Sequence, residues 1–315
     1  MISTYTQSHN NTGKMKLSRL IRILLSGAVA ASLGLALIQS GTLRGQTQNG
    51  RTPGNTTRPT SKTMTERRPL ESLKSSNPRT VATRNLQLQS ELKWMFGGKP
   101  QRGWYLYAPL VQSLIGTDQG ADTTGFAAAL SRWQLKQGLQ ASGILDEESL
   151  YAMVGHWQSL RIRDRNYPQP DQLVTGSLED FYDQSRPEEL RQVHLEAYTA
   201  YKQMILAAKA DPLVGPTLAD DAKYLKIISS FRSREYQEKL RRESPNAGRA
   251  GLAVNSPHFT GRALDIYVGG EPVETKDSNR SIQIQTPVYL WLTRNAHRFG
   301  FRPYFYEPWH WEYVR

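Results

Sequence analysis

Two histidines and one aspartate in the last quarter of the chain are the strongest candidates for metal chemistry. The chain has 315 residues, six histidines and no cysteine, so a metal must be held by histidine nitrogens and carboxylate oxygens. His258 and Asp265 are separated by six residues that include Gly261 and Ala263, whose small size lets the loop fold back. With His310 they make up the three-ligand set that a catalytic zinc takes while leaving a position for water.

A carboxylate near the last histidine is a candidate general base. Glu307 lies three residues before His310, and the bend at Pro308 can aim its side chain inward. Such a base must stand within hydrogen-bond reach of the water that attacks the substrate. Taken alone, His-x6-Asp and Glu-x-x-His are common coincidences. We interpret Glu312 as an ordinary charged residue of the last strand.

The surrounding pattern indicates which elements position these side chains. Residues 225–233 are typical of a strand that runs into a helix over about 233–242. We expect His258 in a turn, Asp265 at the start of a strand, and His310 in a terminal strand over 306–314. A helix over 287–299 ends at Gly300.

Three motifs in this region occur together and in a fixed order. Ser-x-His-x-x-Gly-x-Ala-x-Asp spans 256–265, Glu-x-Trp-His spans 307–310, and Ser-x-Phe-Arg-Ser spans 229–233. At these positions the chain resembles the zinc D-alanyl-D-alanine carboxypeptidases of the VanY type. The resemblance covers about 90 residues and implies an α+β fold, with a small antiparallel sheet, flanking helices and zinc in a cleft.

The resemblance also implies roles for particular residues. His258, Asp265 and His310 would bind Zn²⁺, and Glu307 would be the catalytic base. Arg232 would contact the substrate and stabilise developing negative charge, while Ser256 would position the terminal residue of the substrate.

The implied reaction is hydrolysis of the C-terminal D-Ala peptide bond of peptidoglycan stem peptides. A peptidoglycan endopeptidase of the same fold and a non-catalytic cell-wall-binding protein remain as alternatives. A nucleic-acid-binding function is disfavoured by the distribution of charge. Residues 1–85 contain 13 Lys or Arg and two acidic residues, so the other 230 residues carry only one of the 12 net positive charges.

A small helical domain is predicted over 86–160, before the catalytic region at 223–315. Trp133-Gln134, Gly138-Leu139, Gly143-Ile144 and the acid-led helix that starts at Asp146 resemble the peptidoglycan-binding helical module. An unrelated helical spacer is the alternative. Residues 161–222 are predicted to form a helical connector with a long helix over 188–209, in which His194 is a surface or packing residue.

The N-terminal segment predicts export. Four basic residues at 14–22 precede a 16-residue uncharged apolar run at 23–38. Residues 1–41 are therefore a signal peptide or a membrane anchor, with a tether formed by residues 23–43 in the second case. Residues 42–85 are predicted to be a disordered basic linker. The folded regions are expected outside the cytoplasm.

Overall fold

The computed structural model of this protein describes residues 77–243 and 255–314. The predicted signal or anchor segment and most of the linker lie outside these residues. Within the described ranges, none of the helices combines the length and the apolar character needed to cross a membrane.

The first region is built from helices that pack around buried aromatic side chains. Trp104 stacks on Phe126 with ring centroids 5.7 Å apart. The predicted helix that starts at Asp146 is present, and the Asp146 carboxylate caps it by accepting a hydrogen bond from the Ser149 N–H at 2.9 Å. The elements of this region are α1 (Pro78–Glu91), β1 (Lys93–Phe96), β2 (Lys99–Arg102), α2 (Ala108–Ile115), α3 (Thr124–Lys136) and α4 (Glu147–Ser159).

The predicted linker needs correction at its C-terminal end. Residues 78–85 belong to α1, which buries Val81 and Ala82. The Asn85 side chain is also buried, and it bonds the carbonyl of Gly143 and the N–H of Leu145 at 2.8 Å each. These two hydrogen bonds tie α1 to the turn before α4, so the folded region includes residues 78–85.

The second region contains a four-stranded antiparallel sheet with strand order β5-β6-β8-β7, which confirms the predicted α+β fold class. Its strands are β5 (Ile227–Ser229), β6 (Ala263–Ile266), β7 (Phe301–Pro303) and β8 (His310–Tyr313). Its helices are α5 (Leu195–Ala210), α6 (Gly215–Asp220), α7 (Arg234–Glu243), α8 (Asp277–Gln283) and α9 (Pro287–Asn295). A separate hairpin joins β3 (Leu173–Thr175) to β4 (Gln192–His194).

The long helix predicted over 188–209 is wrong in its first part. Residues before Leu195 form a short 3-10 turn and then β4, in which Val193 pairs with Val174. His194 ends this strand, and its N–H donates to the Gly261 carbonyl at 3.0 Å. The strand therefore supports the turn that carries His258.

The two faces of the four-stranded sheet differ in polarity. Asp265 and His310 are direct partners across β6 and β8, and so are Leu264 and Trp311. Because successive side chains in a strand point to opposite faces, the polar pair lies on one face and the apolar pair on the other. The Trp311 ring lies 6.4 Å from Tyr289 of α9, so the apolar face packs against helices.

The two regions share one hydrophobic core. Phe305, in the loop between β7 and β8, lies against Phe96 at 4.7 Å, Tyr107 at 5.3 Å and Trp157 at 5.8 Å between ring centroids. Phe96, Tyr107 and Trp157 all belong to the first region. The loop that contains Glu307 is therefore packed directly against the helical region.

Candidate metal centre and active site

His258, Asp265 and His310 converge although they lie far apart in the sequence. One ligand atom from each residue lies within 4.8 Å of the other two, and all three side chains are buried. Oδ1 of Asp265 is 3.3 Å from Nε2 of His258 and 2.9 Å from Nδ1 of His310. The sheet explains this meeting, because Asp265 and His310 are opposite each other on one face.

His258 is positioned by a single turn of 3-10 helix, Pro257–Thr260. Gly261 ends the turn with φ of 66°, a left-handed conformation that suits glycine, and leads the chain into β6. Nδ1 of His258 lies 2.7 Å from the Ser230 carbonyl oxygen. Since a carbonyl can only accept, Nδ1 carries the proton and Nε2 presents its lone pair toward Asp265.

His310 is positioned by its strand and by a second carboxylate. Its Nδ1 faces Asp265, and its Nε2 lies 3.2 Å from Oε1 of Glu312. Glu312 is fully buried, so its interpretation as an ordinary charged residue of the last strand is wrong. Residues two apart in a strand share a face, which places Glu312 beside His310.

The donor set fits zinc. Two imidazole nitrogens and one carboxylate oxygen form the mixed ligand set of a catalytic zinc site. Each imidazole has its remote nitrogen bonded to an oxygen, of Ser230 for His258 and of Glu312 for His310. This second layer of acceptors is typical of zinc-binding histidines, because it fixes the tautomer and the ring orientation.

The charges around the three groups shift their pKa values in different directions. Burial, reinforced by the charge of Arg232, lowers the pKa of His258 to about 4. Burial alone would also lower the pKa of His310, but hydrogen bonds to Asp265 and Glu312 raise it to about 9. Burial opposes ionisation of Asp265, yet the two histidines and Arg232 hold its pKa well below the usual range.

Arg232 contacts a candidate ligand directly. Its Nη2 is 2.9 Å from Oδ2 of Asp265, and its Nε donates to Oγ of Ser229 at 2.9 Å. The Arg232 N–H also donates to the carbonyl of His258 at 3.2 Å. The guanidinium therefore fixes the carboxylate oxygen that faces away from the histidines, and it places a positive charge beside the centre.

Glu307 lies in a tight loop that is closed by two backbone hydrogen bonds, one before Glu307 and one after it. The Glu307 N–H donates to the Tyr304 carbonyl at 3.1 Å, and the His310 N–H donates to the Glu307 carbonyl at 3.0 Å. Its side chain is buried. Burial raises the pKa of Glu307 to about 7, against the opposing charges of His310, Arg161 and Arg232. A carboxylate with a pKa near 7 is suited to accept a proton at neutral pH.

Ser256 has a structural contact. Its Oγ accepts a hydrogen bond from the His258 N–H at 3.3 Å and so caps the 3-10 turn.

Two further residues, Glu312 and Arg161, lie at the centre although they are not among the site residues predicted from sequence. The period of two in a strand offers a signal for Glu312, since it falls on the face of His310. No comparable signal marks Arg161, which precedes Glu312 by 151 residues.

Comparisons with known proteins agree with the geometry of the second region. The family model described as VanY, D-alanyl-D-alanine carboxypeptidase, matches residues 190–315. This range begins earlier than the predicted catalytic region at 223. A search of curated protein sequences found no match.

Two solved structures are similar to the chain. A structure of the LdcB LD-carboxypeptidase has 27% identity and a TM-score of 0.35, and the alignment covers 48% of this chain and 71% of that chain. A Zn(II) complex of a mutant vancomycin-resistance D,D-pentapeptidase VanY has 23% identity and a TM-score of 0.31, and covers 50% and 89%. At such TM-scores the assignment rests on the family match. Residues 190–315 of this chain are similar to the VanY D-alanyl-D-alanine carboxypeptidase family, whose model matches this range.

Proposed function

We propose that this chain is a zinc-dependent carboxypeptidase that hydrolyses the C-terminal D-Ala peptide bond of peptidoglycan stem peptides. The observation that carries the proposal is the convergence of His258, Asp265 and His310 within 4.8 Å, in a region similar to the VanY family. These residues would hold Zn²⁺ through Nε2, Oδ1 and Nδ1.

The bound zinc would polarise the scissile carbonyl and lower the pKa of the attacking water. Glu307 would take the proton of that water and later deliver it to the leaving amine. Its pKa of about 7 leaves a large fraction of the carboxylate ionised at neutral pH. Its burial keeps bulk water away from the proton transfer.

Arg232 and Ser256 would assist in different ways. Arg232 holds Asp265 in place, and its positive charge would stabilise negative charge that develops on the substrate carbonyl oxygen. Ser256 supports the turn that carries His258 and would position the terminal residue of the substrate.

Substrates of this kind lie outside the cytoplasm, and the charge and hydropathy of residues 1–41 agree with export. Peptidoglycan stem peptides are therefore the proposed partners. The segment at 23–43 would serve either as part of a cleaved signal or as a membrane tether.

Incubation of the purified chain with defined muropeptides, with and without Zn²⁺, tests the proposal. Mass spectrometry should show loss of one D-Ala from a pentapeptide stem, dependent on zinc. Cleavage of a cross-linked dimer without loss of a terminal residue would indicate an endopeptidase. Zinc binding without hydrolysis of any muropeptide would indicate a non-catalytic wall-binding protein.

Glu307→Gln provides the matched control for this assay. Loss of the proton acceptor should lower kcat by about 10²- to 10⁴-fold. Zinc affinity should stay close to that of the unsubstituted chain, because Glu307 lies outside the ligand set. Unimpaired hydrolysis by this variant would remove Glu307 from the mechanism.

A further inference from the structure

Glu312 is a fully buried carboxylate whose partners come from two distant parts of the chain. Its Oε1 faces Nε2 of His310 at 3.2 Å and also accepts from Nε of Arg161 at 2.9 Å. Nη2 of Arg161 bonds the same oxygen. Its Oε2 accepts from the Ile162 N–H at 2.8 Å. Arg161 and Ile162 both precede residue 190, where the family match begins.

A buried carboxylate is strongly destabilising unless a cation and several donors compensate its charge. Arg161 supplies the cation in this site. Arg165 is a weaker partner, since its Nη1 lies 3.9 Å from Oε2. Without Arg161, Oε2 would keep the Ile162 N–H, but Oε1 would lose both of its guanidinium donors. The carboxylate would then be held less firmly against His310.

Arg161 is itself held in place beside the centre. Its guanidinium lies 3.9 Å from the centroid of the Tyr304 ring, a cation–π contact. The Tyr304 N–H donates to the His310 carbonyl at 2.9 Å, and the two rings meet edge to face at 5.9 Å. Arg161 therefore lies between two residues, Tyr304 and Glu312, that both contact His310.

We propose that Arg161, together with the Ile162 N–H, is a positioning element of the metal centre. It holds Glu312 in the orientation that fixes the His310 ring, so that Nδ1 faces the zinc. The inference rests on the proposed zinc function. It extends the site beyond the range of the family match, into the segment that directly follows the helical region.

Zinc affinity of the full chain, measured by competition with a chromogenic chelator in the absence of substrate, tests this role. Arg161→Gln should weaken zinc binding by roughly 10- to 100-fold, the usual cost of losing an outer-shell partner. Arg161→Lys keeps the charge but loses the two-pronged contact, and should fall in between. Arg163→Gln is the matched control, because Arg163 is exposed, and should leave affinity unchanged.

A double-substitution cycle separates positioning from a general loss of stability. If Arg161 acts through Glu312, Arg161→Gln should have little further effect on zinc affinity when Glu312→Gln is already present. Additive losses, or an Arg161→Gln affinity equal to that of Arg163→Gln, would overturn the inference. Circular dichroism checks folding of each variant, and Arg161→Lys carries the test if Arg161→Gln does not fold.

The two proposals fail in different ways. An unsubstituted chain that does not bind zinc would contradict the proposed function itself. Zinc-dependent hydrolysis by the unsubstituted chain, combined with normal zinc affinity in Arg161→Gln, would contradict the role of Arg161 alone.

Discussion

The two histidines of the candidate centre are fixed by different means. His258 bonds a neutral backbone carbonyl, of Ser230, that directly follows β5 in the same sheet. His310 bonds a buried carboxylate, Glu312, whose charge is compensated by Arg161, a residue that precedes the range of the family match. The part of the centre around His258, the His258 side, is therefore fixed by backbone that follows a neighbouring strand of the same sheet. The His310 side depends on side-chain charges and on a distant segment.

This difference shows how the helical region contributes to the site without supplying a ligand. It packs around Phe305, in the loop that carries Glu307, and it leads directly into Arg161. Both contacts are made to the part of the centre around His310, through the Glu307 loop and through Glu312. We therefore expect changes in the helical region to affect His310 and Glu307 more than His258.

Removal of the helical region together with the segment at 160–189, which holds Arg161, should have the largest effect. A fragment of residues 190–315 would expose Phe305 and leave Glu312 buried without its cation, and loss of one partner of a buried ion pair alone costs about 3–5 kcal/mol. Whole domains are stable by only about 5–15 kcal/mol, so we expect this fragment not to fold. The matched fragment 77–315 should fold and bind zinc. Equal thermal unfolding of the two fragments would contradict the dependence on the helical region.

Phe305→Ala should produce the next largest effect. The ring is 2% exposed and contacts three aromatic residues of the helical region. A large-to-small change at such a site should lower the free energy of unfolding by about 3–5 kcal/mol, as measured with urea. Leu206→Ala, at a side chain that is 67% exposed, is the control and should change it little. Equal effects of the two variants would show that the contact between the regions is weak.

Much of the His258 side was predictable from sequence. The motif over 256–265 places a histidine, a glycine with left-handed backbone and an aspartate at fixed distances, and the structure has them in a turn and a strand. These are short-range relations. They depend on residue size and on the period of two in a strand, which a single sequence displays.

The His310 side was predictable only in part. His310 and Glu307 share a short motif, but the burial of Glu312 depends on packing that no local pattern reports. Its partner Arg161 is 151 positions away, in a segment without a distinctive motif. Likewise, residues 78–85 of α1 were assigned to the linker because the segment has few large apolar side chains, and Asn85 acts through tertiary hydrogen bonds.

The buried charge of Glu307 should make the stability of the metal-free chain depend on pH. Its folded pKa of about 7 lies above the ordinary value of 4.5, so the folded state holds a proton that the unfolded state releases between these values. Stability from this group therefore falls as pH rises from 4.5 to 7. At pH 8 the free energy of unfolding of Glu307→Gln should therefore exceed that of the unsubstituted chain by about 3 kcal/mol.

Urea unfolding of both proteins without metal, at several pH values, measures this difference. The gain should shrink as the pH falls and disappear well below pH 4.5, where Glu307 is neutral in both states. The exposed Glu189→Gln is the control, with a small difference at every pH. A constant difference for Glu307→Gln across this range would show that its carboxylate is not destabilised by burial.

Ser256→Ala should have the smallest effect on stability, because it changes one local contact on the His258 side. The Oγ of Ser256 accepts the His258 N–H at 3.3 Å, and loss of such a cap costs about 1 kcal/mol. Since the Ser230 carbonyl still fixes the His258 ring, zinc affinity should fall by less than the roughly 10- to 100-fold expected for Arg161→Gln.

Thr123→Ala is the control for stability, because it removes a comparable cap from α3. A rise in KM for Ser256→Ala, without one for Thr123→Ala, would add substrate positioning to the role of Ser256. A loss of zinc affinity as large as that of Arg161→Gln would show that the two sides of the centre are equally sensitive to side-chain support.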